Sequence, residues 1–280
     1  MKNNQLMIYG AYGYAGELMV REAVAQRLRP IIAGRDAEKL KPIATELSLE
    51  CRAFGVRNTG SNLQDISVLL NCAGPFSATA EPLARACLAQ QIHYLDITGE
   101  IDIFRKCHAL DEEARQQNVL ILPGAGTDIV PTDCLAAMLK EKLPVATRID
   151  LALSFGTNPS IGTVNTMIES FGKGGLIREG GMLKVVSNAF QMRKIPFQNK
   201  PQWAMTIPWG DVFTSGISTG VPDGAVYMAM PRMSIYMIRL TNPVKGILNT
   251  QFGQKITKRW RPGGDNSGAR PRLRTAKSWK

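Results

Sequence analysis

The sequence predicts an α/β protein built on a doubly wound parallel sheet. Up to about residue 143, short apolar runs alternate with segments whose apolar residues recur every three or four positions, and most of the runs end in glycine. Strands that alternate with helices pair in parallel through right-handed crossovers, which place helices on both faces of the sheet. We therefore expect one such domain over residues 1–143 and a second, mixed α/β domain over residues 144–254.

Each element of the first domain has its own pattern. The predicted strands, in chain order, are QLMIYG, RPIIAG, ECRAFGV, ISVLLNCAG, IHYLDITG and NVLILPGAG. The predicted helices between them are GELMVREAVAQRL, DAEKLKPIATEL, TAEPLARACLAQQ and IFRKCHALDEEARQQ, and the segment after the third strand has the least regular helical pattern. Ligands of such sheets lie beyond the carboxyl ends of the strands, so the loops that follow the strands form the candidate site.

The first of these loops, GAYGYAG, is rich in glycine where a strand meets a helix. The dinucleotide-binding pattern is G-x-G-x-x-G. Here Ala11 takes the first glycine position, Gly13 and Gly16 take the other two, and Gly10 is an extra glycine before them. Such a loop lets a pyrophosphate approach the backbone at a helix N-terminus. Glycine-rich turns also occur for packing alone, so both interpretations stay open here.

The second loop, Gly34-Arg35, points to the type of dinucleotide. NAD enzymes carry Asp or Glu at this place for the ribose 2′-hydroxyl, whereas the planar guanidinium of an Arg suits the 2′-phosphate of NADP. Asp36 is an alternative ribose ligand, but it also fits the N-cap of the next helix. The pattern favours NADP as the cofactor.

Five loop sequences in this order, GAYGYAG, AGRDAEKL, NCAGPF, HYLDITGE and LPGAGTDIVPTD, resemble the saccharopine dehydrogenase-like oxidoreductases, which include bacterial trans-acting enoyl reductases. The resemblance covers roughly residues 6–240 and includes PWGDVFTSGISTG and VYMAMP. It implies an NADP-binding Rossmann domain followed by a mixed α/β domain that covers the nicotinamide end. It also implies three sets of cofactor contacts. Arg35 would contact the adenosine phosphate, and Ala73, Gly74 and Pro75 would contact the nicotinamide ribose. The pyrophosphate would be contacted by Gly10, Gly13, Tyr14, Ala15 and Gly16.

Catalysis of hydride transfer needs an acid only where an atom of the substrate must be protonated. The polar candidates on the nicotinamide side are Tyr94, Asp96, Thr98, Glu100, Thr127, Asp128 and Asp133. We predict Glu100 and Asp128 as catalytic residues because they follow glycines at the ends of the fifth and sixth strands. Structural roles for these residues remain open as alternatives. In these, Asp96 would form a structural pair within its strand, Glu100 would cap the helix after it, and Thr132 or Asp133 would cap the following helix.

Several other classes of protein are not indicated. His93 and His108 are the only histidines, and the five cysteines are widely spaced, so we expect no catalytic His, no metal site and no disulfide framework. Cys134 is predicted to be a core residue. No run of eighteen apolar residues and no leader-like N-terminus is present, which predicts a cytoplasmic protein without a transmembrane segment.

The net charge of +11 is concentrated at one end of the sequence. Residues 255–280 hold nine Lys or Arg and one Asp, which leaves +3 for the rest of the chain. This composition predicts a disordered basic tail rather than a specific nucleic-acid surface. The apolar stretch before it, MSIYMIRLTNPVKGILNTQF, is compatible with peripheral membrane contact or with a homodimer interface.

The second domain is predicted to contain three strands, RIDLALSFG, GDVFTSGISTG and AVYMAMP, with a glycine-rich helical region between the first two. Four methionines near residues 228–237 fit either core packing or an apolar pocket for an acyl chain. Compared with the family, the chain is expected to be shortened at its C-terminus. We therefore expect an NADP-dependent oxidoreductase acting on a small or lipid-linked substrate, with a catalytically impaired NADP-binding protein or redox sensor as the alternative.

Overall fold

The computed structural model describes residues 5–154, 174–198, 200–240 and 242–244. The N-terminal part forms a parallel sheet of six strands, namely β1 (Gln5–Tyr9), β2 (Ile31–Gly34), β3 (Cys51–Ala53), β4 (Ile66–Asn71), β5 (His93–Asp96) and β6 (Ile121–Leu122). Their spatial order is β3-β2-β1-β4-β5-β6, and every neighbouring pair is parallel. The predicted doubly wound sheet is confirmed, and its order reverses between β1 and β4, where such sheets bind dinucleotides.

Six helices connect these strands and lead out of the sheet: α1 (Tyr14–Ala25), α2 (Ala37–Leu47), α3 (Phe76–Ala89), α4 (Ile101–His108), α5 (Asp111–Gln116) and α6 (Val130–Lys142). A short 3-10 helix, Gly60–Leu63, occupies the segment after β3, where the sequence has the least regular helical pattern. The predicted helix after β5 is split into α4 and α5.

The sheet carries an apolar core on each face because side chains alternate along a strand. Met7 packs in one core with Leu69 and Leu83, whereas its neighbour Ile8 packs in the other core with Val20. Helices thus cover both faces, and the carboxyl ends of the strands are left at one edge, where the loops after β1, β2, β4, β5 and β6 meet.

The second domain is a mixed sheet with helices, as predicted. Its strands are β7 (Arg148–Leu153), β8 (Gly175–Glu179), β9 (Met182–Val186), β10 (Met192–Pro196), β11 (Pro201–Ile207) and β12 (Asp223–Ala229). The order is β10-β11-β12-β8-β9, and β7 pairs with β12 in parallel. The helices are α7 (Asp211–Thr219) and α8 (Arg232–Leu240), followed by a 3-10 helix, Asn242–Val244.

The prediction of GDVFTSGISTG as a strand is wrong, because this segment forms α7. The local pattern is short and ambiguous, and long-range contacts decide it. Arg178 on β8 is buried, and its guanidinium donates to the main-chain oxygen of Val212 and to Ser215 Oγ on α7. Helix α7 also packs against α4, α6 and β12.

The prediction of a helical region before this segment is also wrong over LIREGGMLKVV, which forms the β8–β9 hairpin. Glu179 pairs with Met182, so the hairpin loop has two residues, Gly180 and Gly181. Both have positive φ, 57° and 79°. Two-residue hairpin loops require such angles, and glycine adopts them without steric cost. The described part of the second sheet therefore has six strands instead of three.

The remaining expectations about organisation are tested only in part. Helix α6 ends at Lys142 and β7 begins at Arg148, which supports our proposal of a domain boundary near residue 143. In the methionine cluster, Met228 is buried in the core while Met233 is 71% exposed. The basic tail, residues 255–280, lies outside the described residues. Within the described ranges, every helix is too short or too polar to cross a membrane.

Candidate cofactor and active site

The glycine-rich loop after β1 packs against its own helix and against the loop after β4. A Cβ atom on Gly16 would lie 2.2 Å from the main-chain oxygen of Gly10. A Cβ atom on Gly10, whose φ is +84°, would lie 2.7 Å from the main-chain nitrogen of Ala73. Real Cβ atoms do not approach backbone this closely, so the fold itself requires both glycines. For these two positions, packing alone is a sufficient explanation.

Gly13 differs from its two neighbours in the loop. A Cβ atom there would meet only the main-chain oxygen of Gly10, at 3.2 Å. Gly13 is the N-cap of α1 and, having no side chain, supplies no side-chain hydrogen bond to the helix. The N–H groups of Tyr14, Ala15 and Gly16 lie in the first turn, where no intrahelical acceptor exists for them. Helix α1 thus offers donors and the positive end of its dipole to a phosphate, which fits the pyrophosphate of a dinucleotide.

The loop after β2 places positive charge at the adenosine end of the site. Arg35 is exposed at the end of β2. Tyr12 packs over Gly34, where a Cβ atom would lie 2.6 Å from the tyrosine ring, and Lys39 Nζ is 5.7 Å from the centroid of that ring. Lys39 Nζ also pairs with Asp36 Oδ2 at 3.3 Å, so the exposed guanidinium of Arg35 is the group that suits a 2′-phosphate.

Asp36 caps α2, as the structural alternative predicts. Its Oδ1 accepts hydrogen bonds from the N–H groups of Glu38 at 3.1 Å and Lys39 at 3.3 Å. The hydrogen bond from the Lys39 backbone is the main cause that lowers the pKa of the Asp36 carboxyl. Since this carboxylate is occupied by the helix, the arrangement favours the cap over a ribose ligand.

A buried polar network connects the ends of β4 and β5. Asn71, Tyr94 and Asp96 are each fully buried. Asn71 Nδ2 donates to the Tyr94 hydroxyl at 3.1 Å, and that hydroxyl donates to Asp96 Oδ2 at 2.8 Å. Burial raises the pKa of Tyr94 and also that of Asp96. Both side chains are engaged with each other inside the protein, which supports the structural interpretation of Asp96.

The same network fixes the backbone of the loops at the nicotinamide edge. Asp96 Oδ1 accepts from the N–H groups of Thr98 at 3.0 Å and Gly124 at 2.9 Å, and Asn71 Oδ1 accepts from the N–H of Ala73 at 3.0 Å. The loops after β4, β5 and β6 are therefore linked by hydrogen bonds to this buried network. Gly74 and Pro75 follow Ala73 and are exposed at the surface of this edge.

The two predicted catalytic residues stand on these loops. Glu100 is half-buried at the N-cap position of α4, but its side chain does not cap the helix, and its N–H donates to Thr98 Oγ1 at 3.1 Å. Asp128 is exposed, yet neighbouring protein atoms desolvate its carboxyl enough to raise its pKa. A carboxyl whose pKa is raised keeps its proton to a higher pH, which suits a general acid. The geometry is compatible with both roles.

Asp211, in the second domain, is a candidate that the sequence alone does not single out, although it lies in the stretch PWGDVFTSGISTG. It is fully buried, and its Oδ1 lies 2.6 Å from Thr132 Oγ1 on α6. Burial is the main cause that raises the pKa of its carboxyl to about 7; the hydrogen bond with Thr132 lowers this pKa, and the charges of Asp133 and Asp128 raise it. The contact joins residues 79 positions apart in the chain, so it becomes visible only in the folded protein.

Other reactive side chains do not contribute to this edge. His93 Nδ1 accepts a hydrogen bond from the N–H of Leu120 at 3.0 Å, which is a structural role. No group of three or more His, Cys, Asp or Glu that could hold a metal ion is found among the residues that the structure describes. The prediction that Cys134 belongs to the core is wrong. Cys134 is exposed on α6, because Ala136, and not Cys134, lies on the buried face of that helix.

Comparison with known proteins finds sequences and a domain model that are similar to this chain. Residues 6–122 match the model of the saccharopine dehydrogenase NADP binding domain. Proteins named saccharopine dehydrogenase-like oxidoreductase from Rattus norvegicus and Homo sapiens are 26% and 25% identical to the chain, and each alignment covers 72% of this chain and 53% of the relative. A Mycobacterium tuberculosis protein, provisionally named a trans-acting enoyl reductase, is 28% identical over 66% of this chain and 44% of its own length.

The fold is shared with a solved structure at low identity. Saccharopine dehydrogenase (L-Glu forming) from Saccharomyces cerevisiae superimposes with a TM-score of 0.61 at 9% identity, over 85% of this chain and 57% of the yeast chain. The chain spans about half the length of the curated relatives it matches. Residues 6–122 thus match an NADP-binding domain of the saccharopine dehydrogenase type, and the chain is similar to the saccharopine dehydrogenase-like oxidoreductases that its loops resemble.

Proposed function

We propose that this chain binds NADPH across the carboxyl edge of its parallel sheet and transfers hydride from it to a small or lipid-linked substrate. The observation that carries the proposal is the N-terminus of α1. Its first turn has N–H groups without intrahelical acceptors and a glycine N-cap that presents no side chain, and it begins at the point where the sheet order reverses.

The proposed cofactor contacts follow the order of the loops along the edge. The pyrophosphate would accept hydrogen bonds from the first turn of α1, at the loop formed by Gly10, Gly13, Tyr14, Ala15 and Gly16. Arg35 would contact the 2′-phosphate. Ala73, Gly74 and Pro75, which follow β4, would line the nicotinamide ribose. When bound, NADPH supplies a hydride from its nicotinamide ring.

Reduction of a double bond also consumes a proton, and Asp128 and Glu100 are proposed to supply it. In a reduction of an enoyl group, hydride adds to one carbon and a proton to its neighbour. Asp128 is suited to hold that proton because desolvation raises the pKa of its carboxyl. Glu100 lies on the adjacent loop and does not use its side chain to cap α4.

The proposed substrate class comes from the relatives. One match is provisionally named a trans-acting enoyl reductase, and another, from Caenorhabditis elegans, is named a lipid droplet localized protein and is 23% identical over 50% of this chain. Both names favour a lipid-linked substrate. The exposed methionines of α8 are compatible with contact to an acyl chain or a membrane surface.

The first test is a fluorescence titration of the full chain with NADPH and NADH, for wild type and for Arg35→Ala. We expect NADPH to bind more tightly than NADH. Loss of a charge-assisted contact to the 2′-phosphate costs about 1.5–3 kcal/mol, so the variant is expected to weaken NADPH binding by about tenfold to a hundredfold and to leave NADH binding unchanged.

Arg115→Ala is the matched control because it removes the same charge from an exposed position on α5, where Arg115 pairs with Asp111. Its affinity for NADPH should equal that of the wild type. Equal loss of NADPH and NADH affinity in Arg35→Ala would refute the assignment of Arg35, and failure of the wild type to bind either nucleotide would refute the proposed function.

A further inference from the structure

Three consecutive residues of the second domain, Trp209, Gly210 and Asp211, reach the turn that carries Asp128. We name them the 209–211 corner. Trp209 Nε1 donates a hydrogen bond to the main-chain oxygen of Asp128 at 3.0 Å. A Cβ atom on Gly210 would lie 2.4 Å from Ile129 Cδ1, so the corner packs directly on the turn.

Asp211 reaches the next carbonyl of the same turn through one intermediate side chain. Thr132 Oγ1 lies 2.6 Å from Asp211 Oδ1 and 3.0 Å from the main-chain oxygen of Ile129. Two successive carbonyls, those of Asp128 and Ile129, are therefore held from the second domain. One is held by the Trp209 indole, and the other by Asp211 through Thr132.

The single proton of the Thr132 hydroxyl links the protonation state of Asp211 to the Ile129 carbonyl. Both Asp211 Oδ1, at 2.6 Å, and the Ile129 oxygen, at 3.0 Å, are acceptors for this hydroxyl, which cannot donate fully to both. An ionised Asp211 accepts the Thr132 proton, whereas a protonated Asp211 Oδ1 can donate to Thr132 and leave the Thr132 proton for the Ile129 oxygen. Asp211 Oδ2 is also buried and has no hydrogen-bond partner among the described residues, so a negative charge there would lack compensation.

The surroundings of Asp211 favour the same neutral form. Among the elements packed against α7, the charged or titratable side chains near Asp211 or its helix include Asp128, Asp133, Arg105, Arg178, Asp223 and His108. When ionised, Asp133 and Asp128 oppose ionisation of Asp211. Arg178 is directed to Val212 and Ser215, Asp223 accepts from the N–H of Gly180, and the His108 ring packs on Phe213. None of these three makes an ion pair with Asp211 in the described structure.

We propose that Asp211 is a positioning residue which, in its neutral form, holds the turn carrying Asp128 through Thr132, and which releases that turn when it loses its proton. The role of the turn in catalysis rests on the proposed function, whereas the coupling between Asp211 and the turn does not. The pH at which the coupling changes is expected near 7, since burial raises the pKa of the Asp211 carboxyl to about that value.

The test follows the carbonyl carbon of Ile129 by NMR between pH 5 and pH 9 in the full chain, without nucleotide. We expect its resonance to titrate with a midpoint near 7 in the wild type. In Asp211→Asn it should be independent of pH. Asp65→Asn, an exposed position before β4, is the matched control and should titrate as the wild type does.

A second pair of variants tests the link independently of the charge on Asp211. Thr132→Val removes the hydroxyl and should abolish the titration of the Ile129 carbonyl, whereas Thr132→Ser keeps the hydroxyl and should retain it. This pair also decides the matter if Asp211→Asn does not fold. A wild-type resonance that does not change with pH, or one that titrates equally in Thr132→Val, would overturn the inference. Because no nucleotide is present, this outcome is distinguishable from failure of NADPH binding.

Discussion

The two halves of the candidate site are built by different means. The adenosine half consists of backbone and of residues close in sequence, namely the loop at Gly10–Gly16 and the Arg35–Lys39 segment. The nicotinamide half depends on side chains from several strands and from the second domain, including the Asn71–Tyr94–Asp96 network and the 209–211 corner. The first half is therefore specified locally, while the second exists only after the chain has folded.

This difference predicts distinct consequences of mutation in the two halves. In the adenosine half, a given substitution should reduce either NADPH affinity or stability but not both. The reason is that some positions are proposed to contact the ligand and others pack against the protein. In the nicotinamide half the two losses should occur together, because the groups that place the loops are also part of the buried structure.

The largest effect is expected from Gly16→Ala. Its new Cβ atom would lie 2.2 Å from the Gly10 oxygen, so the backbone must shift, at a cost of about 3 kcal/mol in the free energy of unfolding. Gly13→Ala, with its Cβ at 3.2 Å from the same oxygen, should keep most of the stability and weaken NADPH binding instead. Urea unfolding and NADPH titration measure the two quantities.

Gly55→Ala serves as the reference for this pair because no atom lies within 4 Å of the added Cβ. If Gly16→Ala and Gly55→Ala had equal free energies of unfolding, the claim that Gly16 is required for packing would be disproved.

A smaller effect is expected in the nicotinamide half from Tyr94→Phe. The substitution leaves Asp96 Oδ2 without its hydroxyl donor inside the protein, which costs about 1–3 kcal/mol. Because Asp96 also holds the N–H groups of Thr98 and Gly124, we expect NADPH affinity to fall together with stability. Tyr14→Phe, at a side chain that is 72% exposed, should leave stability unchanged in the same unfolding experiment.

The smallest effect is expected from Asp36→Ala, which removes the cap of α2 and should cost about 1 kcal/mol of stability. NADH affinity should be unaffected, because the carboxylate serves the helix and not the ribose. Glu38→Ala, on the exposed first turn of the same helix, should cost less than Asp36→Ala. A selective loss of NADH affinity in Asp36→Ala would restore the ribose-ligand alternative.

Much of the first domain was predictable because its elements are regular and alternate in a fixed way. The six strands, the glycine loop and the cap at Asp36 all follow from local patterns. The reason for glycine at positions 10 and 16 could not be decided from the sequence. A turn that packs tightly against backbone and a turn that binds a phosphate both require glycine. Only the distances to Ala73 and Gly10 separate the two explanations.

The second domain was predicted poorly, for two physical reasons. The pair Gly180-Gly181 between alternating residues is itself a hairpin pattern, which predicts the β8–β9 turn and not a helix. Helix α7, in contrast, is determined by contacts with distant elements, including the hydrogen bonds from Arg178. Asp211 lies in PWGDVFTSGISTG, one of the stretches that carry the resemblance, but its contact with Thr132 joins distant parts of the chain and is visible only in the folded protein.

The close contact between Gly10 and Ala73 affects how the glycine-rich loop can change during evolution. Selection for folding alone would preserve Gly10 and Gly16, even in a lineage that had stopped using a nucleotide, because any larger residue would collide with backbone. Gly13 and Arg35 would be free to drift in that lineage. The presence of Gly13 and Arg35 together is thus a more informative sign of nucleotide use than the glycine-rich loop as a whole.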